Sequence, residues 1–143
     1  MSREIKFRAK RLDNNELVIG YYLLTQYGEK HFIYFALEFL NEHTRIEIDP
    51  KTLGQYTGLL DKNGKEIYEG DILRINHGDN DGDTYEVIFE SGCFWGKCIY
   101  TLRPSTTPYK TLLDDLDYWE PQSKEIIGNK FENPELITGV KNV

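Results

Sequence analysis

The loop Asp79-Asn80-Asp81-Gly82-Asp83 sets carboxylates at alternating positions. Glu90 follows Asp79 by eleven residues, so the set matches the first, third, fifth and twelfth positions of a calcium loop. The sixth position of such a loop needs Gly and is Thr84 here, and both flanks read as strands where helices are required, so a solvated acidic hairpin tip is the simpler assignment. Cys93, Cys98 and His77 are donor types that zinc takes, but the gap between the cysteines lacks a second ligand pair, and His31 and His43 fall in unrelated segments. A nucleophilic Cys93 would need a nearby His and an electropositive setting; between Gly92 and Phe94-Trp95 it reads as a packing residue. No Gly-rich phosphate loop leads into a helix, no nucleophile elbow occurs, and the paired Asp114-Asp115 falls on the polar side of an expected helix. The residues therefore assign no catalytic group, no metal site and no cofactor, and the expectation is a protein without catalysis, ranked above a metal-dependent enzyme built on the Asp79 to Asp83 loop.

Binding chemistry is better represented. Lys6, Arg8 and Lys10 recur at every second position, and Tyr21 and Tyr22 lie on the strand expected to return beside them. A basic strand face next to aromatic rings suits a nucleic-acid backbone with stacked bases, or an acidic protein partner. The competing assignment is that these cations pair with local or C-terminal acids. The formal net charge of -7 favours that assignment over general attraction to phosphate.

The elements that must position these residues are strands. Residues 4 to 11 alternate Ile5, Phe7 and Ala9 against Lys6, Arg8 and Lys10, the period of a half-buried strand. Asp13-Asn14-Asn15 is a reversal, because Asn tolerates positive φ, and residues 16 to 24 form the returning strand. A turn at Tyr27-Gly28-Glu29 precedes a third strand over 31 to 35; residues 36 to 42 are ambiguous, compatible with a turn or two of helix, and 44 to 48 read as strand up to Asp49-Pro50. Asp61-Lys62-Asn63-Gly64 is the strongest turn signal, with Gly64 suited to the left-handed conformation. Short strands and tight reversals continue from 54 to 102, the pattern of a small barrel or sandwich. Beyond the Ser/Thr/Pro loop of 104 to 108, Leu112, Leu113, Leu116 and Trp119 predict a short amphipathic helix. Residues 125 to 127 predict a last strand, and Asn133-Pro134-Glu135 a capped terminal turn of helix.

The whole is 143 residues with 39% hydrophobic and 29% charged, too apolar for a disordered chain and enough for one core without disulfides. The longest apolar run, Phe32 to Leu37, is far shorter than the roughly 20 residues of a spanning helix. Charged residues near the N-terminus interrupt what a secretory signal would need, so a cytoplasmic location with two reduced cysteines is expected. With 10 Tyr, 7 Phe and 2 Trp, aromatic side chains exceed what inward positions require, which points to protein binding or self-association and a homo-oligomer.

Three stretches carry a resemblance. They are Arg3-Glu4-Ile5-Lys6-Phe7-Arg8-Ala9, the segment from Gly54-Gln55-Tyr56-Thr57-Gly58 through Asp61-Lys62-Asn63-Gly64-Lys65 to Glu69-Gly70-Asp71-Ile72, and Ile127-Gly128-Asn129 with Glu132-Asn133-Pro134-Glu135-Leu136. In order and wording they resemble the YopX-like family of bacteriophage and prophage proteins. One departure is visible: after Ala9 the family pattern continues with an aromatic residue and an acid, where this chain has Lys10 and Arg11. The resemblance implies a phage- or prophage-encoded accessory protein in a bacterial cell, a mainly β fold of several coiled sheets, and no catalytic residues to carry over. The combined expectation is one domain over 1 to 143: an N-terminal meander over 4–48, an SH3-like or barrel-like antiparallel unit over 54–102, and a helix-strand-helix segment over 110–137. Lys6, Arg8, Lys10 and Tyr21 are its candidate binding residues, for an acidic partner or, alternatively, for nucleic acid.

Overall fold

A computed structural model of the chain describes residues 4–37, 42–76, 82–105, 107, 109–116 and 123–138. Asp79, Asn80, Asp81, His77, Asp117 and Trp119, and with them most of the acidic loop, lie outside the described residues. The described chain is built of antiparallel strands. No helix among the described residues is long and apolar enough to cross a membrane. The chain divides into two compact units, Met1–Gly58 and Leu59–Val143.

The first unit contains β1 (Phe7–Lys10), β2 (Leu17–Leu24), β3 (His31–Leu37), β4 (Glu42–Glu47) and the start of β5 (Gly54–Leu60), hydrogen-bonded in the order β4-β3-β2-β1-β5. The first reversal forms as the sequence requires. Asn15 takes φ 61°, and the Asn14 side-chain oxygen accepts the Glu16 N–H at 2.9 Å. Beyond β4 the chain folds back onto β1: Ile48 bridges Arg11, and the Asp49 N–H donates to the Lys10 carbonyl at 2.9 Å. Asp49 then accepts the Lys51 N–H at 3.0 Å and so opens a single 3-10 turn over Pro50–Thr52. Thr52 Oγ accepts the Lys10 N–H at 2.8 Å, which ties this turn to β1. Alternation sends Ala9, Ile33 and Ile48 into a dry cluster, with Phe7, Val18, Phe35 and Leu53 packed around it.

In the second unit, β5 continues into a hairpin with β6 (Glu66–Tyr68). β7 (Asp71–Ile75), β8 (Asp83–Glu90), β9 (Cys93–Tyr100), β10 (Lys110–Leu112) and β11 (Lys124–Asn129) make a five-stranded sheet in the order β10-β9-β8-β7-β11. Its core is Ile67, Leu73, Ile75, Tyr85, Val87, Leu113 and Leu116.

The strand pairing divides the segment expected to be barrel-like: β5 pairs with β1, while β7 to β9 belong to a sheet whose edges are β10 and β11. The expected C-terminal helices need correction, since none is present among the described residues. Lys110–Leu112 pairs with β9 as a strand, and Leu113–Asp115 and Pro134–Leu136 are single 3-10 turns. Leu113 and Leu116, three apart, satisfy one buried face of such a turn as well as they would a helix, while Leu112 is left exposed. Asn133 does not cap its turn; its side-chain oxygen instead accepts the Asn129 N–H at 3.3 Å.

Candidate binding face on the first sheet

Residues directly opposite across an antiparallel pair share a face, so the register decides which side chains meet. Arg8 lies opposite Ile19, and Lys10 opposite Leu17. Tyr21 lies opposite Tyr34, Leu23 opposite Phe32, and Tyr34 opposite Arg45. Lys6, two residues before Arg8, belongs to the same face by alternation, and its ammonium sits 5.0 Å from the centre of the Tyr56 ring. The four candidate residues Lys6, Arg8, Lys10 and Tyr21 are thus brought to one face, opposite to the side that buries Ala9 and Ile33.

The face is apolar along its middle, with Arg8 and Lys10 on the β1 flank and Arg45 beside Glu47 on the β4 flank. Ile19, Tyr21 and Leu23 occupy three successive outward positions of β2 and are 48%, 60% and 40% exposed. Lys6 also pairs with Glu4 at 3.2 Å. The Arg45 guanidinium lies 4.8 Å from the centre of the Phe32 ring, a cation–π stack that covers the ring while leaving Arg45 exposed. Tyr22, named beside Tyr21 from the sequence, is on the other face: its hydroxyl is 2.6 Å from His31 Nδ1 and its ring packs against Phe7. Sequence reasoning missed Arg45 and Tyr34; their alternation was legible, but their place beside Tyr21 depends on pairings between β2, β3 and β4. At one end of the sheet, Arg11, Leu12, Asp13, Arg45, Ile46 and Glu47 line an open depression of about 380 Å³. Its Asp13 carboxyl is held below the usual range by hydrogen bonding to Arg11.

Among the described residues, those weighed for metal or thiol chemistry are not gathered. Asp83 and Glu90 are seven apart on β8, hence on opposite faces; Asp83 is buried, whereas Glu90 is exposed and pairs with Lys110 at 2.8 Å. Cys93 and Cys98, five apart on β9, also face opposite ways. Burial, with Asp83 nearby, pushes the Cys98 thiol up, away from the thiolate a nucleophile needs. Burial and Asp83 likewise hold the Tyr85 hydroxyl strongly protonated.

The recurring letters of the middle and C-terminal stretches have structural duties. Asp61 accepts the N–H groups of Asn63 and Lys65 through one oxygen and of Ile126 through the other, at 2.8, 2.9 and 3.1 Å. Asp71 accepts the Tyr68 N–H at 2.8 Å, and Gly70 takes φ 93°. The Gly70 carbonyl receives the Lys130 N–H at 2.9 Å. Asn129 accepts from Phe131 and Glu132, and Gly128 leaves room for Asn133, whose side-chain oxygen would lie 2.5 Å from any Cβ there.

Residues 6–138 match the family model described as YopX protein. The chain belongs to the YopX family. Among solved structures, this YopX-family chain is similar to the crystal structure of protein EF1440 from Enterococcus faecalis, with 25% identity and a TM-score of 0.56 over 95% of this chain and 99% of that one. No curated protein matches it. The stretches in which the resemblance is read include the turn residues above, and in the middle and C-terminal stretches those residues are occupied in holding backbone.

Proposed function

We propose that this YopX-family chain is a non-enzymatic protein-binding module, encoded by a phage or prophage and acting in the bacterial cytoplasm. It docks an acidic protein surface on the outer face of its first sheet. The observation that carries the reading is the exposed stripe Ile19, Tyr21 and Leu23, flanked by Arg8 and Lys10 on one side and Arg45 on the other. Exposed aromatics elsewhere, such as Tyr27 and Tyr109, are not backed by a comparable stripe on one strand face. An apolar centre with an aromatic anchor and a charged rim is the composition of a protein interface.

Tyr21 is the anchor. Replacing it with Ser removes an exposed ring, so stability stays within about 0.5 kcal/mol, while loss of an interface hot spot costs about 2 kcal/mol, roughly a thirtyfold weaker capture. The check is affinity capture from bacterial lysate with wild type and Tyr21→Ser in parallel. Protein retained by the wild type and lost by the variant is the expected result; equal retention defeats the reading.

Single-stranded nucleic acid is the second reading. It is favoured by the charge distribution: Met1–Gly58 holds 8 Lys and Arg against 8 Asp and Glu, so the net charge of -7 belongs to the second unit and does not weigh on this face. Only one of the three most exposed positions on β2 is aromatic, which supports a protein partner over base stacking. A fluorescence titration with single-stranded oligonucleotides separates the two, since a Tyr21-dependent, salt-sensitive signal belongs to nucleic acid.

A further inference from the structure

Resting on the protein-binding reading, we propose that the acidic surface taken by this face is on a second copy of the same chain, at Leu112, Asp114 and Asp115. Charge complementarity carries the argument. Leu59–Val143 holds 16 Asp and Glu against 9 Lys and Arg, whereas the first unit is balanced and gathers Arg8, Lys10 and Arg45 on one sheet face. Stacking that face on itself about a two-fold axis would bring these cations together, and like charges opposed across an interface cost several kcal/mol. A partner surface that is apolar at its centre and negative at its edge has no such penalty.

The turn after β10 supplies one. Leu112 is 40% exposed, and Asp114 and Asp115 are exposed beside it, while Lys110 on the same face of β10 is paired with Glu90 at 2.8 Å. Leu113 and Leu116 are buried in the core of the second unit and hold the turn in place. Gly96 makes room for Leu116, whose Cδ1 would lie 2.6 Å from a Cβ at that position. The patch is therefore presented on fixed backbone, with an apolar side chain for the Ile19–Tyr21–Leu23 stripe and two carboxylates for its cationic flanks. Because the contact joins two different surfaces, it is heterologous, and it closes into a ring or propagates.

Sedimentation velocity over a concentration series tests this with two variants. Ile19→Glu puts a carboxylate on the stripe, and Asp114→Lys with Asp115→Lys reverses the patch; all three positions are exposed, so folding is preserved. The wild type is expected to associate at low salt and dissociate at high salt, and each variant to weaken association at least about tenfold. An equimolar mixture of the two variants is expected to form a one-to-one dimer, since each retains the surface the other has lost. A wild type that stays monomeric, an assembly that neither variant weakens, or a mixture that does not associate overturns the proposal. A monomeric wild type that still captures a foreign protein through Tyr21 overturns the second copy as occupant and leaves the protein-binding reading standing.

Discussion

Asp61→Ala is expected to destabilise the second unit by about 3 kcal/mol, because hydrogen bonds to a charged group are worth more than neutral ones and their loss leaves buried donors unpaired. One carboxylate holds three N–H groups from two sequence-distant segments: Asn63 and Lys65 in its own turn, and Ile126 on β11. Asp61 is only 6% exposed, so water does not replace what is removed. Burial works against its ionisation, but the N–H donors of Lys65, Ile126 and Asn63 outweigh it and hold the carboxyl below its usual range. A group depressed in the folded state contributes stability above its unfolded pKa of about 3.9, and that contribution disappears as pH falls through the lower folded value. Thermal melts should therefore show a drop on the order of 10 °C at neutral pH. The gap between wild type and variant should narrow on acidification below about pH 4, as the wild-type carboxyl is protonated. A variant equal in stability to wild type at neutral pH would remove Asp61 from this account.

Gly20→Val should have a comparable effect on the other unit. Gly20 lies opposite Phe7 on the core face of β2, and a Cβ there would stand 2.6 Å from the Tyr34 carbonyl oxygen and 2.8 Å from Ile33 Cγ2. The oxygen belongs to the backbone of β3 and cannot rotate away, so β2 and β3 must separate. The expected loss is about 3 kcal/mol, the upper part of the range for overpacked cores. Hydrogen exchange locates it: protection should fall in β1 to β4 for Gly20→Val, and in β6, β7 and β11 for Asp61→Ala. An unchanged exchange pattern around β2 would show that the sheet accommodates the side chain.

Local turn chemistry was legible in the sequence, and so was the strand-rich class. The Asn15 reversal and the Asp61 to Gly64 turn depend on residues within a few positions of one another, and both form where their residue types require. The basic alternation of Lys6, Arg8 and Lys10 was legible for the same reason. What it faces was not, since a shift of one residue in register exchanges Tyr21 for Tyr22 and turns the other ring inward. Only the pairing of β1 with β2, and of β2 with β3, decides between them. Leu113 and Leu116 misled because their spacing suits a single 3-10 turn as well as a longer helix, and the hydrogen bonding of Lys110–Leu112 to β9 is non-local. The overall charge is a sum over a neutral first unit and an acidic second one.

Site-specific photo-crosslinking identifies what the outer face of the first sheet touches. A benzophenone side chain placed at position 21 is compared with the same group at Tyr27, which is 82% exposed in the turn between β2 and β3. Discrete protein adducts are expected from position 21 and none from position 27. Adducts only to nucleic acid, equal yields from both positions, or no adduct at position 21 would contradict the protein-binding reading.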